Sequence, residues 1–263
     1  MARFDGIFYS KELARPTHFV AVLCNDNAFG TENNPHYKRP TKNVYLLHGF
    51  SGCDTDWFSN APMGEIANKY NVNFFMPNGD NSFYLDNKAT GYKYASYVGE
   101  EFVEYTRKTF NLSDKREDTY IGGLSMGGFG ALHTALMFPE TFGKCAALSS
   151  ALIHNEVADM KEGSGNEVAN YEYYRECFGD PSKLKESVNN PEYLVKQLKE
   201  KSAKFPAIFM ACGTEDFLIE NNRKFHAFLE EEGVKHTYVE GKGIHDMVFW
   251  SEYAAKFIPE MFG

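Results

Sequence analysis

The stretch DTYIGGLSMGGFGALHTAL, Asp118 to Leu136, sets one serine among five glycines. Inside a helix or a strand each glycine costs roughly 0.5–1 kcal/mol against alanine, so this crowding answers a demand other than regular structure. The stretch runs from a short buried strand, Thr119 to Leu124, straight into a helix, Gly127 to Phe138. Gly123, Ser125 and Gly127 stand as GxSxG at the junction. A chain that turns so sharply from strand to helix holds its serine in strained backbone, and bulkier side chains two positions to either side would collide. The spacing predicts Ser125 presented at the carboxyl edge of a sheet, with the Met126 N–H at the helix start aimed at the same place.

Outward from this junction, short apolar runs alternate with longer amphipathic ones, the pattern of strands and helices wound into a mostly parallel sheet. Strands are predicted over Thr17 to Leu23, Asn43 to Leu47, Val72 to Met76, Thr119 to Leu124, Cys145 to Leu148, Ala207 to Cys212 and Thr237 to Glu240. Helices are predicted over Ala61 to Tyr70, Tyr94 to Phe110, Gly127 to Phe138, Asn221 to Glu232 and Asp246 to Phe262. The last spaces Trp250, Tyr253, Phe257 and Met261 along one stripe. Most strands lack a polar face, which suits a sheet covered by helices on both sides. The chain of 263 residues reads as a single domain. Between Ile153 and Lys204 the pattern gives way to a polar, lysine-rich stretch, read as a cap-like insertion with one or two short helices that contributes little to the core.

A serine hydroxyl is a weak nucleophile at neutral pH and needs a base within hydrogen-bond reach, oriented in turn by an acid. In this fold the order is serine, acid, histidine. The apolar run PAIFMACGTEDFL ends at Gly213 with Glu215 and Asp216 just beyond it, and the shorter Asp216 better suits a fixed hydrogen bond. His245, in VEGKGIHDMVFW, falls between the last strand and the last helix. A second oxyanion donor is expected after VYLLHGFSG, from the Phe50 N–H or, second, the Ser51 N–H. His48 there reads as a loop-stabilising residue. Loop aromatics Phe50, Trp57, Phe58, Phe83, Tyr84 and Tyr92 are expected toward the pocket. Within the insertion, Tyr173 and Tyr174 of YEYYRECF are expected to wall it.

These segments, LLHGFSGCDTDW, MPNGDNSFYLD, YIGGLSMGGFGAL, CGTEDFL and GIHDMVFW, occur in the order found in the esterase D or tributyrin esterase family of α/β-hydrolases, which the chain resembles from about Thr17 to Phe257. That family is similar to the S-formylglutathione hydrolases and to the feruloyl and acetylxylan esterases. The resemblance implies an α/β-hydrolase fold, a catalytic triad of Ser125, Asp216 and His245, and an oxyanion hole from the Phe50 and Met126 amides. It implies hydrolysis of short-chain or aromatic acyl esters through an acyl-enzyme. S-formylglutathione hydrolases usually carry a serine where His48 stands and a cysteine near Cys53, here displaced by one, which weakens the thioesterase alternative. A non-catalytic binding protein on a hydrolase fold is the alternative of another class.

A formal net charge of −9 leaves a nucleic-acid footprint unsupported. The amino-terminal MARFDGIFYSKELARP holds no apolar run of signal-peptide length, and nowhere do about 18 apolar residues run together as a membrane span requires. The expectation is a cytoplasmic protein acting on a small-molecule ester, without nucleic acid or membrane. Five scattered cysteines never spaced CxxC point to neither a disulfide framework nor a zinc site. No cofactor and no bound metal are expected.

Overall fold

The computed structural model describes residues 1–24 and 31–262. Eight strands form one sheet: β1 (Ala2–Ser10), β2 (Arg15–Leu23), β3 (Lys42–Leu47), β4 (Val72–Pro77), β5 (Thr119–Leu124), β6 (Lys144–Leu148), β7 (Ala207–Gly213) and β8 (His236–Gly241). Their spatial order is β1-β2-β4-β3-β5-β6-β7-β8. β1 and β2 are antiparallel to each other and β2 to β4, whereas every pair from β4 through β8 is parallel. The helices are α1 (Asp56–Asn60), α2 (Met63–Tyr70), α3 (Tyr94–Ser96), α4 (Phe102–Phe110), α5 (Met126–Met137), α6 (His154–Ala158), α7 (Tyr171–Phe178), α8 (Pro191–Glu200), α9 (Ile219–Glu231) and α10 (Met247–Phe262). This is an α/β-hydrolase fold.

Successive strand residues point to opposite faces, and the apolar strands therefore feed two cores. Val44, Phe74 and Tyr120 join one with Ile66 of α2 and with Trp250, Tyr253, Phe257 and Met261 of α10. Their neighbours Tyr45, Phe75 and Ile121 join the other with α4, α5 and α9. α5 is buried from Met126 to Leu136, so the serine stands at the start of a helix enclosed along almost its whole length.

Two expectations need correction. The predicted strands begin at Thr17, yet β1 precedes them and pairs with β2 along its whole length. It is an edge strand: Phe8 turns inward to stack on Tyr105 at 4.1 Å, while Ile7 and Tyr9 stay exposed. The stretch from Ile153 to Lys204 holds three helices and a 3₁₀ turn, Pro181–Glu186, and it builds core. Tyr174, Phe178, Leu184, Leu194, Val195 and Leu198 are buried in the same cluster as α5. α8 is amphipathic, with Lys196, Lys199 and Glu200 exposed on its outer side, and that solvated side gave the segment its polar appearance. Among the described residues no helix is long and apolar enough to cross a membrane.

Candidate active site

Ser125 sits at φ +54 and ψ −120 between β5 and α5. A side chain rarely adopts that backbone, and holding it costs about 1–3 kcal/mol. The surroundings enforce it: the Ser125 N–H donates to the Leu148 carbonyl at 2.9 Å, and the Ser125 carbonyl accepts from Ala151 at 3.0 Å. The flanking glycines are close-approach residues. A Cβ on Gly123 would lie 2.2 Å from the Gly127 carbonyl oxygen, and one on Gly127 would lie 2.4 Å from the Leu47 carbonyl oxygen.

The loops after β7 and β8 deliver the other two groups. They are stitched together, with the Thr214 N–H on the Gly241 carbonyl at 2.8 Å and the Glu215 N–H on the Gly243 carbonyl at 3.0 Å. His245 is thereby held over Asp216. Its Nδ1 lies 3.0 and 2.9 Å from the two Asp216 carboxylate oxygens, and its Nε2 lies 2.9 Å from Ser125 Oγ. Because a carboxylate only accepts, Nδ1 carries the proton and Nε2 faces the serine hydroxyl as acceptor. Burial works to raise the Asp216 pKa, but hydrogen bonds from His245 and the Leu218 N–H outweigh it, and the carboxyl is held below its usual range. Asp216 is 2% exposed; Glu215, its rival, is exposed and makes no such contact.

Of the two donor candidates after β3, the Ser51 N–H is spent on Asn81 Oδ1 at 2.7 Å. Among the described residues, the Phe50 and Met126 N–H groups are taken up by no other group. His48 fastens this loop. Its Nδ1–H donates to the Gly49 carbonyl at 2.8 Å, and its Nε2 accepts from the Gly79 N–H at 2.8 Å. Burial lowers its pKa, which suits the neutral ring this pairing requires.

The expected substrate contacts divide. Tyr173 stands beside the Phe50 loop, its ring edge-on to Phe50 at 5.7 Å and its hydroxyl donating to the Asn81 carbonyl at 2.8 Å. Trp57 and Tyr174 are corrected. Trp57 is 2% exposed, donates to the Leu47 carbonyl at 3.0 Å and belongs to the core on the α10 face. Tyr174 is 1% exposed between Phe83 and Phe178. Neither offers an open face to a ligand. Phe83 and Tyr84, also expected toward the pocket, are buried, and the Tyr84 hydroxyl donates to the His48 carbonyl at 3.1 Å. Sequence reasoning missed Phe217 and Trp250, which flank the His245 ring at 4.5 and 4.8 Å. Both lie within five positions of a triad candidate, and that adjacency was the available signal.

The chain matches the family model described as Esterase over residues 30–261. It is 42% identical over 255 residues to an acetyl esterase of Caldicellulosiruptor saccharolyticus, spanning 97% of this chain and 96% of that protein. Among solved structures, the substrate-bound fluorophosphonate-binding serine hydrolase F of Staphylococcus aureus is similar with a TM-score of 0.85 at 27% identity, covering 100% of this chain and 98% of that one. The apoenzyme of an S-formylglutathione hydrolase from Staphylococcus aureus gives a TM-score of 0.83 at 27% identity, covering 100% and 99%.

Proposed function

This chain belongs to the Esterase family and is a serine carboxylic ester hydrolase, and from that premise we propose that it cleaves short-chain acyl esters, acetyl esters first, through an acyl-enzyme on Ser125. The observation that carries this reading is His245 bridging Asp216 at 2.9 Å and Ser125 at 2.9 Å. Ser125 Oγ attacks the ester carbonyl carbon while its proton passes to His245 Nε2. The Asp216 carboxylate keeps the ring in the correct tautomer and balances the imidazolium. The oxyanion that forms lies between the Phe50 and Met126 N–H groups, which are fixed before the charge develops. As the intermediate collapses, the alcohol leaves with the proton from His245 and the acyl group stays on Ser125. Water, deprotonated by His245, then attacks the acyl carbon, and the carboxylic acid departs as the serine recovers its proton.

The acetyl preference is supported by the 42% identity to an acetyl esterase and by Tyr173 standing edge-on to Phe50 at the loop that offers the oxyanion donor. Ser125→Ala is expected to stay folded and to turn over p-nitrophenyl acetate at least about a thousandfold more slowly. Retention of a tenth of the activity would remove Ser125 from the mechanism. Thioester hydrolysis by the same acyl-enzyme is a second reading, favoured by the likeness to a solved S-formylglutathione hydrolase. The ratio of kcat/KM for S-formylglutathione and p-nitrophenyl acetate separates the two.

A further inference from the structure

Away from Ser125, α9 and β8 gather two histidines and a glutamate. His226 and Glu230 lie one turn apart on the same side of α9. The helix then ends in a tight turn. The Gly233 N–H donates to the Glu230 carbonyl at 3.0 Å, and the Val234 N–H donates to the Leu229 carbonyl at 2.9 Å. Gly233 holds φ +67 there. The chain doubles back, and β8 opens with His236 beside the helix. The candidate ligand atoms of His226, Glu230 and His236 all lie within 4.8 Å of one another.

The placement of protons tells which nitrogens are free. The Val234 carbonyl can only accept, so in its 2.8 Å contact His236 Nδ1 carries the hydrogen. His236 Nε2 therefore presents its lone pair to the cluster, accepting from the His226 Nδ1–H at 2.7 Å and lying 3.9 Å from Glu230 Oε1. A histidine whose far N–H is fixed on a carbonyl has the arrangement typical of a metal ligand. The His236 side chain is 1% exposed, whereas Glu230 is 66% exposed and can swing in. The His226 ring lies against Tyr238 at 4.6 Å. Arg223, one turn earlier on α9, is already paired with Glu240 and Glu220, so its charge is compensated.

We propose that His226, His236 and Glu230 bind one zinc ion, with solvent completing a four-coordinate shell. Zinc–nitrogen bonds of about 2.0–2.1 Å in tetrahedral geometry place two nitrogens roughly 3.3 Å apart, so the two rings must part by a fraction of an ångström. The ion replaces the hydrogen the rings share: His226 carries its proton on Nε2 instead of Nδ1, and both imidazoles bind neutral. Two imidazoles and a carboxylate are a borderline donor set suited to zinc. α9 begins three residues after Asp216, and β8 ends four residues before His245. The ion thus fastens α9 to β8, the helix that follows Asp216 in the chain and the strand that precedes His245.

The test uses the tag-free chain, stripped with chelator, dialysed and titrated with zinc chloride by calorimetry, alongside thermal unfolding. One zinc per chain is expected with a Kd in the micromolar range or tighter, and a rise in Tm of about 5 °C when zinc is a hundredfold above Kd. His226→Ala and Glu230→Gln, both at the surface side of the cluster, are expected to stay folded by circular dichroism, bind zinc at least tenfold more weakly and lose the Tm shift. Absence of stoichiometric binding to the wild type overturns the site, as does a zinc affinity and Tm shift left unchanged by His226→Ala.

Discussion

Replacing Asp216 by asparagine removes one charge and almost no volume, and the structure sets what that costs. The carboxylate is 2% exposed and meets His245 Nδ1 through both oxygens, at 3.0 and 2.9 Å. In the transition state His245 is an imidazolium, and at a separation of about 4 Å with an effective dielectric near 20 the lost attraction is about 4 kcal/mol. That corresponds to roughly a thousandfold in rate. The asparagine amide can also donate to Nδ1, which favours the ring tautomer whose Nε2–H cannot accept the serine proton. The combined loss in kcat is expected at about 10³–10⁴-fold, with KM changed by less than about threefold because the substrate does not touch this group. Steady-state hydrolysis of p-nitrophenyl acetate, with far-UV circular dichroism to confirm folding, reads both quantities. Glu215→Gln, in an exposed side chain, is the matched control and is expected to keep kcat within about twofold. A tenth or more of the wild-type kcat in Asp216→Asn, or a larger loss in Glu215→Gln, would refute the assignment of the acid.

Two neighbouring tyrosines are expected to separate specificity from stability. Tyr173→Ala, at the Phe50 loop, should shift kcat/KM between acetyl and octanoyl or feruloyl esters by about tenfold, while Tyr174→Ala, at 1% exposure, should cost about 3–5 kcal/mol in urea unfolding; the reverse outcome would place Tyr174 rather than Tyr173 against the substrate. Stability should also fall in mild acid through His133. Burial pushes its pKa down to about 4, with its Nε2–H on the Val188 carbonyl only partly offsetting that. The folded chain therefore binds fewer protons than the unfolded chain between about pH 4 and the ordinary histidine value near 6.5, so stability is complete above that window and is lost as pH falls through it. About 2 kcal/mol should disappear between pH 7 and pH 5, and His133→Gln should flatten the slope; an identical slope in both proteins would contradict the buried neutral ring.

What the sequence made legible was whatever is encoded in a short run. The elbow could be read because Gly123 and Gly127 must be glycine for the chain to pass the Leu47 and Gly127 carbonyls. Asp216 and His245 could be read because each follows a strand within a few residues, Asp216 after β7 and His245 after β8. The apolar stripe of α10 was legible for the same reason, since Trp250, Tyr253, Phe257 and Met261 need only helical spacing to share a face. What escaped depends on partners far along the chain. β1 exposes much of itself, and only pairing with β2 makes it a strand. Trp57, Phe83, Tyr84 and Tyr174 sit in loops or polar stretches, where no local pattern tells an aromatic filling the core from one facing a ligand. The choice between Phe50 and Ser51 turned on Asn81, 30 residues away from Ser51, whose side chain consumes one of the two amides.

The most direct measurement of the proposed chemistry is covalent capture of the nucleophile by a fluorophosphonate. Attack by Ser125 Oγ on phosphorus expels fluoride and leaves a stable phosphonyl ester, so peptide mass spectrometry reads the bond itself. A single adduct per chain is expected, on the peptide that carries Ser125, formed quickly in the wild type, slowly in Asp216→Asn and not at all in Ser125→Ala. An adduct on another residue, or labelling that persists at the wild-type rate in Ser125→Ala, would contradict an acyl-enzyme on Ser125.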